Sequence, residues 1–337
     1  MPETRTAVVG LGDISALHLD AIADNPRIRL VAVCDVDAVR AADAAGRWGV
    51  PGFTEVRELL EVLRPDVVHV TTPHSQHVAV ALLALAAGAA VLTEKPVGHT
   101  VASAQRLRSA AALSSSKVGV VFQNRYNPTS IALRDALAAG RIGPVLGARA
   151  AVWWTRTPAY YAAAPWRGRW AEAGGGVLIN QAIHTLDLLL WLLGEPVSVR
   201  GRADTLALPA SVEVEDTATI VLEHPHGVRS TFFATNTHVR NDDVELEVTG
   251  RDGTLRLGGG EAALVTGART TLLATDAQAG GERSYWGRGH ALLIDDFHAG
   301  LRAPEPFWIG PDAGIAPLRV LREVYRQSGI LPAGEEL

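Results

Sequence analysis

The chain has little cysteine, few long apolar runs and no strong charge of either sign. Cys34 is the only cysteine among 337 residues, which excludes a disulfide framework and cysteine-ligated zinc. The most membrane-like run, residues 78–87, is far shorter than the ~20 residues of a spanning helix. A net charge of −5 argues against nucleic acid or membrane as the main partner. The N-terminus lacks the pattern of a signal peptide, so we expect a soluble, cytoplasmic protein.

Lysine is also scarce. Of the 31 basic residues only Lys95 and Lys117 are lysines, and the others are arginines. Lysine can lose its proton when its surroundings lower its pKa, whereas arginine keeps its charge. Each lysine is therefore a candidate for chemistry, although chance is the simpler explanation for either one.

Residues 6–122 alternate apolar strand segments with alanine-rich helical segments. This alternation predicts a doubly wound parallel sheet with helices on both faces. After residue 124, period-two strands and consecutive hairpins predict an antiparallel sheet, the last two strands being 244–249 and 254–257. We therefore expect an α/β Rossmann domain over residues 1–123 and an α+β substrate domain over residues 124–337.

Three helices are predicted within the second domain besides the one that opens it at Pro128. One long apolar helix over residues 177–193 interrupts the strands, and amphipathic helices near 291–301 and 312–327 close the chain. No linker separates the two domains, so the boundary is a hinge near residues 122–126.

A glycine-rich turn lies between the first predicted strand and its helix. Glycines there permit a tight turn and close approach of a pyrophosphate to the helix N-terminus. Asp35 ends the second strand, where a carboxylate accepts hydrogen bonds from the adenosine ribose and repels a 2′-phosphate. This predicts NAD over NADP, although Arg40 nearby weakens the preference. The expected cofactor contacts are Gly10, Leu11, Gly12, Asp13, Ile14 and Asp35.

Polar segments follow the next strands of the same sheet. Ligands of open parallel sheets bind at the carboxyl ends of the strands, where these segments fall. His74 and His77 have the spacing of a metal pair, but no third ligand lies near them in the sequence, so we expect no metal. Further cofactor contacts are expected from Thr72, Pro73, His74, His77, Glu94, Lys95 and Gln123, with Asn124 contacting the substrate.

The predicted apolar helix carries three aligned polar residues after Gly174-Gly175-Gly176. Asn180, His184 and Asp187 share one helical face if the helix is continuous. A single histidine on an apolar helix is usually a core residue. Three aligned polar groups directly after a glycine run favour a site instead. Asp187 either orients His184 or braces the helix.

Tryptophans and arginines alternate between residues 153 and 170. Aromatic faces stack on sugar rings, and guanidinium groups bind hydroxyls, carboxylates or phosphates. A packed lid or a subunit contact explains any single one of these residues equally well. We expect Arg156 to contact substrate, and Tyr285 and His290 are candidates for the same pocket.

These motifs together resemble the glucose–fructose oxidoreductase/inositol dehydrogenase (Gfo/Idh/MocA) family along essentially the whole chain. The resemblance rests on the glycine turn, Asp35, the Thr-Pro segment ending in His77, Glu94-Lys95-Pro96, the glycine run before His184, Gly289-His290 with Asp296-Phe297, and the helix containing Tyr325. It implies a large open, mainly antiparallel sheet in the second domain, whose exposed face makes homodimers or homotetramers.

The resemblance also implies residue roles. Lys95 is expected between the nicotinamide and the substrate, and the pair Trp166-Arg167 near both. Many family members carry aspartate four residues before the histidine, where this chain has Asn180. Asparagine can hold a substrate hydroxyl but cannot take its proton. Lys95 and His184 therefore remain as the acid/base candidates, with Asn180 as a substrate contact.

The implied function is hydride transfer between NAD and a secondary hydroxyl or ketone of a sugar, a sugar derivative or a cyclitol such as inositol. Lysine has an ordinary pKa of about 10.4, so burial and a nearby cation must lower it for Lys95 to act as base. Two alternatives stay open. One is a glycosidase that oxidises its sugar transiently and returns the hydride, and the other is a non-catalytic regulator that senses the dinucleotide.

Overall fold

A computed structural model describes residues 3–208, 212–276 and 288–332. The contacts between residues divide the chain into two compact units. The first unit is Met1–Gln123 with His290–Ile315, and the second is Asn124–Gly289 with Ala316–Leu337. Each unit thus combines two separate stretches of chain, unlike the continuous domains 1–123 and 124–337 expected from the sequence.

The N-terminal stretch of the first unit alternates strands and helices. Its strands are β1 (Thr4–Val9), β2 (Ile28–Cys34), β3 (Gly52–Phe53), β4 (Val67–Val70), β5 (Ala90–Glu94) and β6 (Val118–Val121), and its helices are α1 (Ser15–Ala23), α2 (Ala38–Trp48), α3 (Val56–Leu63), α4 (His74–Ala86) and α5 (Val101–Leu113). The strands pair in parallel in the order β3-β2-β1-β4-β5-β6. The doubly wound sheet is confirmed, and the residues of β4 and β5 are all buried because helices cover both faces.

Local signals set the helix ends of this unit. Asp37 caps α2 by accepting hydrogen bonds from the amides of Val39 and Arg40. Gly49 ends α2 with a φ of 66°, a conformation that favours glycine. Such signals are readable without tertiary structure. The sequence pattern predicts helices near residues 38–48, 56–63 and 101–113, and these are the bounds of α2, α3 and α5.

The second unit contains a sheet of eight strands. Its elements are α6 (Pro128–Ala138), β7 (Val145–Trp153), α7 (Pro158–Ala163), α8 (Trp170–Ala173), α9 (Val177–Asn180), α10 (Ile183–Leu193), β8 (Ser198–Asp204), β9 (Thr217–Glu223), β10 (Arg229–Thr235), β11 (Glu245–Gly250), β12 (Thr254–Gly258), β13 (Glu261–Thr266) and β14 (Arg269–Thr275). The strand order is β14-β13-β12-β11-β7-β10-β9-β8. The mainly antiparallel sheet is confirmed, and among its described strands β7 and β10 pair in parallel.

The strands β13 and β14 extend the sheet beyond the last strand predicted from the sequence. They form a hairpin at the sheet edge, and β14 buries none of its residues. An edge strand that buries so little carries a weak apolar alternation. This explains why the period-two pattern stops at β12 in the sequence.

The prediction of one helix over residues 177–193 is wrong. The chain bends by 59° between the helical segment ending at Asn180 and α10. Gln181 lies at the break, and its buried amide bonds the side chains of Tyr160 and Asn236. No single described helix is long and apolar enough to span a membrane, and this segment meets those criteria only when its two bent halves are combined.

The chain closes with α11 (Gly289–Ala299) and α12 (Pro311–Ser328). The ring of Phe297 lies against Gly119 of β6, where a Cβ atom would come within 2.8 Å of it. The carbonyl of Ile309 accepts a 2.8 Å hydrogen bond from the amide of Val120. Residues 290–315 therefore cover the β6 edge of the parallel sheet, which is why they belong to the first unit.

Candidate functional site

The glycine turn after β1 leaves open space at Gly12. Gly10 has a φ of 93°, and a Cβ there would lie 2.5 Å from the amide nitrogen of Thr72, so only glycine fits. A Cβ on Gly12 would meet no atom within 4 Å. No side chain caps the N-terminus of α1, which follows this open space. Open space before an uncapped helix N-terminus fits the pyrophosphate of NAD.

Asp35 is fixed beside this turn. Its Oδ2 accepts the amide of Leu11 at 2.7 Å, and its Oδ1 accepts the amide of Asp37 at 2.9 Å. Each carboxylate oxygen keeps a further lone pair for a ribose hydroxyl. Arg40 Nε lies 3.5 Å from the carboxylate of Asp37, the N-cap residue of its helix, so its charge already has a partner. The arrangement suits the unphosphorylated ribose that the sequence predicts.

His77 joins the loops that follow β4 and β5. Its Nδ1 lies 2.7 Å from the carbonyl oxygen of Pro96, and its Nε2 lies 2.8 Å from that of Thr72. Burial, together with the charge of Lys95, lowers the pKa of His77. The ring of His74 is 5.7 Å from that of His77, and the described residues include no group of three side chains suited to a metal ion. His77 thus connects the backbone of the two loops in which the sequence predicts cofactor contacts.

Glu94 and Lys95 end β5. Glu94 Oε2 accepts the amide of Lys95 at 3.1 Å, while Oε1 lies 3.1 Å from His18 Nε2 and 3.5 Å from His290 Nε2. Burial alone would raise the pKa of Glu94, but the hydrogen bonds from His18 and His290 hold it well below its ordinary value. Lys95 itself is half-buried. An anionic carboxylate therefore lies directly beside the backbone of this lysine.

The other lysine has a structural task. Lys117 Nζ donates a 2.5 Å hydrogen bond to the carbonyl of Glu305. Of the two candidates that the sequence singles out, Lys95 alone stands at the carboxyl end of a parallel strand, in the segment with Glu94 and Pro96. His290 lies in this first unit beside Glu94, whereas Tyr285, named with it, is outside the described residues.

The turn after β6 contains Gln123 and Asn124. Gln123 is buried, and its amide oxygen has no hydrogen-bond partner among the described residues. Next along the chain, Arg125 makes a buried two-pronged ion pair with Asp187 of α10, at 2.8 and 2.6 Å. Burial raises the pKa of Asp187 against the opposing effect of Arg125. Asp187 therefore braces the helix, which is one of the two roles left open by the sequence.

The glycine run before α9 is packed against a buried carboxylate that the sequence analysis missed. Glu215 accepts hydrogen bonds from the amides of Gly176 at 2.6 Å and Leu178 at 3.0 Å, and from the hydroxyl of Tyr325 at 2.8 Å. A Cβ on Gly176 would lie 1.9 Å from the carbonyl oxygen of Glu215, and one on Gly175 would lie 2.3 Å from the Tyr325 hydroxyl. The glycines thus allow the contacts that fix the start of α9.

Tyr160 connects Asn180 with the arginines of the aromatic stretch. Its hydroxyl lies 3.4 Å from Asn180 Nδ2 and 3.1 Å from Gln181 Nε2. The guanidinium carbons of Arg167 and Arg156 lie 4.3 Å and 5.2 Å from its ring centre. This cluster brings three predicted site residues together around a tyrosine and a glutamine that the sequence did not select.

The remaining predicted residues lie near this cluster in the chain. Trp166 precedes Arg167 in a short 3₁₀ turn. The centre of its ring lies 5.9 Å from the guanidinium carbon of Arg167. His184 is half-buried in the first turn of α10, after the break that separates it from Asn180. The break removes the single helical face expected for Asn180, His184 and Asp187. Lys95 and His184 belong to different units, each described by itself.

The doubly wound sheet, the open glycine turn and Asp35 define an NAD-binding oxidoreductase of Rossmann type. Residues 4–122 match the sequence model described as the oxidoreductase family with an NAD-binding Rossmann fold. Residues 131–256 match the GFO/IDH/MocA C-terminal domain. The chain belongs to the Gfo/Idh/MocA family of oxidoreductases.

Several relatives are named dehydrogenases. The trans-1,2-dihydrobenzene-1,2-diol dehydrogenase of Macaca fuscata fuscata is 32% identical over 235 residues, which are 68% of this chain and 67% of that protein. The D-apiose dehydrogenase of Paraburkholderia graminis is 28% identical, covering 75% and 67% of the two chains. The WlbA dehydrogenase of Bordetella pertussis, solved with NADH and UDP-GlcNAcA, is 30% identical with a TM-score of 0.85 over 97% of both chains.

Proposed function

We propose that the protein transfers hydride between NAD and a secondary hydroxyl or ketone of a sugar, a sugar derivative or a cyclitol. NAD⁺, when bound, supplies the hydride acceptor. The amine of Lys95 removes the hydroxyl proton during oxidation and returns it during reduction. Asn180 and His184 orient the hydroxyl, and His184 shares the proton.

The placement of Lys95 carries this proposal. It is one of two lysines, the other is bonded to a backbone carbonyl, and it follows a strand whose carboxyl end faces the ligand side of an open parallel sheet. Half-burial is one condition that favours a neutral lysine, and the positive ring of bound NAD⁺ would supply the other, a nearby cation. Position 180 is asparagine, so it offers no carboxylate base that competes with Lys95.

The cluster around Tyr160 supports a polar, ring-shaped substrate. We propose Arg156, Trp166, Asn180 and Asn124 as substrate contacts, because stacked guanidinium groups beside an aromatic ring suit hydroxyls or an anionic substituent. By their names, two of the relatives above act on a dihydrodiol and on D-apiose. The third was solved with a nucleotide sugar acid, UDP-GlcNAcA. Trp166 and Arg167 are proposed to contact the nicotinamide end of the cofactor as well.

The test is a panel of inositols, free sugars, glycosides and nucleotide sugars offered with NAD⁺ and with NADP⁺. We expect stoichiometric NADH formation with at least one member and a preference for NAD⁺, because Asp35 repels a 2′-phosphate. Release of a sugar from a glycoside without net NADH would favour a glycosidase instead. Absence of turnover throughout the panel, with NAD binding retained, would favour a regulator.

We also propose that the exposed face of the eight-stranded sheet makes a homodimer or homotetramer. This face exposes apolar side chains, which a second copy of the chain would cover. They include Val221, which is 42% exposed, and the half-buried ring of Phe233 beside Trp153. Light scattering should give two or four times the chain mass of 35.7 kDa. Phe233→Glu should lower that mass, whereas Val239→Glu, at a highly exposed position, should not. A wild-type mass of one chain would contradict the proposal.

A further inference from the structure

Three buried histidines in the first unit form a continuous chain that ends on Glu94. His18 of α1 lies with its Nε2 3.1 Å from Glu94 Oε1 and its Nδ1 2.9 Å from His69 Nδ1. His69 of β4 lies with its Nε2 3.0 Å from His298 Nε2 of α11. His18 and His69 are fully buried, and His298 is 7% exposed. The hydride-transfer mechanism uses none of these imidazoles.

With Glu94 ionised and all three imidazoles neutral, the contacts allow one set of proton positions. Glu94 is ionised and accepts, so His18 carries its proton on Nε2 and must accept at Nδ1. His69 then carries its proton on Nδ1 and accepts at Nε2, and His298 carries its proton on Nε2. Burial lowers the pKa of His69 well below its ordinary value and that of His298 to about 4, so both rings are neutral at pH 7. Every proton in the chain therefore points toward Glu94.

The remaining acceptor of this chain is His298 Nδ1. This atom is buried and has no hydrogen-bond partner among the described residues. The nearest charges that act on His298 are those of Asp295 and Arg27, which pair with each other and are about half exposed. Of the three rings, only His298 has exposed surface, 7% against 0% for His18 and His69. His298 is thus the end of the chain that lies nearest to solvent.

Neither packing nor metal binding accounts for the cluster. Burying a polar ring costs desolvation free energy, which apolar side chains of the same size would not cost. Packing alone therefore does not explain why imidazoles fill this interior. Ring nitrogens that face each other at 2.9 and 3.0 Å share a proton and leave no place for an ion between them. The described residues contain no cluster suited to a metal.

We propose that His298, His69 and His18 form a proton relay that connects solvent with Glu94 and, through Glu94, with the amine of Lys95. One proton enters at His298 Nδ1, each ring passes on the proton it already holds, and one proton arrives on Glu94 Oε1. No electrons move, and each ring is left as its other neutral tautomer. The reverse sequence starts from those other tautomers and returns a proton from Glu94 to solvent.

The inner end of the relay lies in the surroundings of Lys95. The second oxygen of Glu94 accepts the Lys95 amide, and His290 lies 3.5 Å from the first. Burial, with a contribution from the charge of Lys95, lowers the pKa of His290. The lysine charge therefore acts on a direct neighbour of Glu94. This inference rests on the proposed function, because a relay serves Lys95 only if Lys95 exchanges a proton with the substrate.

The proton positions can be read without any substrate. Nitrogen NMR of the ¹⁵N-histidine-labelled protein with NADH bound distinguishes the two tautomers of a neutral imidazole, and His→Gln variants assign the signals. We expect protons on Nε2 of His18, Nδ1 of His69 and Nε2 of His298. A proton on Nε2 of His69, or an imidazolium at His69 at pH 7, would overturn the relay.

The relay can also be interrupted at a point remote from the reacting atoms. In the direction of reduction, with NADH and the ketone formed from the alcohol that reacts fastest in the panel, His69→Gln should lower kcat about 10²-fold, the lower end of what proton transfer contributes. It should also raise the solvent isotope effect on kcat and make kcat rise with added imidazole buffer. A merely structural role would not produce buffer rescue.

His224→Gln is the matched control, because His224 is a buried histidine of the second unit bonded to Gly194 and Ser230. Its isotope effect and its response to buffer should equal those of the wild type. Wild-type kcat, isotope effect and buffer response in His69→Gln would refute the relay even if Lys95→Ala were inactive. Wild-type turnover in Lys95→Ala would refute the proposed function instead. Should His69→Gln fail to fold, the tautomers of the wild-type protein still decide.

Discussion

The two units hold their candidate site residues by different means. In the first unit, Gly10, Asp35 and Lys95 stand at the carboxyl ends of parallel strands, and each is placed by the strand that precedes it. In the second unit, Asn180 and His184 flank a helix break, and buried side chains from distant parts of the chain fix the backbone around them. Glu215 and Tyr325, which secure the start of α9, are 110 residues apart.

The difference shows what local sequence can specify. Where a site lies at strand ends, the functional residue and the strand that positions it are adjacent in the sequence, so a short motif contains both. Where buried hydrogen bonds position the functional residue, their donors and acceptors are remote in the sequence, so the motif does not contain them. The second unit should therefore be the more sensitive to loss of a buried charge.

The largest effect is expected from Arg125→Met. The substitution leaves Asp187 buried without its cation, which typically costs about 3 to 5 kcal/mol of unfolding free energy. Arg169→Met is the control, since Arg169 pairs with Glu172 at the surface, where such pairs contribute at most about 1 kcal/mol. Chemical denaturation measures both. Equal losses for the two variants would remove the distinction drawn for the second unit.

In the first unit, two glycine substitutions should separate folding from cofactor binding. Gly10→Ala places a Cβ 2.5 Å from the Thr72 amide at a φ of 93°, and we expect a loss of about 3 kcal/mol in unfolding free energy. Gly12→Ala meets no protein atom, so the melting temperature of the free protein should stay within a few degrees of wild type. Its Kd for NAD should rise at least about tenfold, because the new methyl group occupies the pyrophosphate space. Unchanged NAD affinity in Gly12→Ala, measured by calorimetry, would contradict this placement.

Glu215 should make the second unit less stable as the pH rises. Burial raises its pKa from 4.5 to about 7, so the folded chain binds this proton more tightly than the unfolded chain. Its contribution to stability is complete below pH 4.5 and is lost as the pH rises to about 7, a change of roughly 3 kcal/mol. The unfolding free energy of wild type minus that of Glu215→Gln should fall by this amount. A pH-independent difference would contradict the assignment.

His298 in the first unit should act with the opposite sign. Burial lowers its pKa from 6.5 to about 4, so the unfolded chain binds the proton more tightly. The neutral ring contributes fully to the unfolding free energy above pH 6.5. This contribution, roughly 3 kcal/mol, is lost as the pH falls toward 4. The unfolding free energy of wild type minus that of His298→Gln should therefore decrease on acidification. A difference that increased on acidification would show that the ring is charged in the folded protein.

The parallel sheet was predictable because its strands are continuous apolar runs and its helices have local caps such as Asp37. The cofactor residues around Gly10 and Asp35 follow from the same strand ends. The break at Gln181 was not predictable, because it depends on Tyr160 and Asn236, which are remote in sequence. The histidine chain was equally hidden, since His69 and His298 lie 229 residues apart. Glu215 carries only a weak signal, an acidic pair with Asp216 that follows the apolar Val214.

The central claim is that the amine of Lys95 is the acid/base group of an NAD-dependent oxidoreductase. The most direct measurement compares NAD affinity by calorimetry with NADH formation in a single turnover, for wild type and Lys95→Ala. We predict an NAD Kd within about threefold of wild type and NADH formation slower by at least about 10²-fold, the contribution expected of a positioned base. Appreciable NADH formation by Lys95→Ala would contradict the claim.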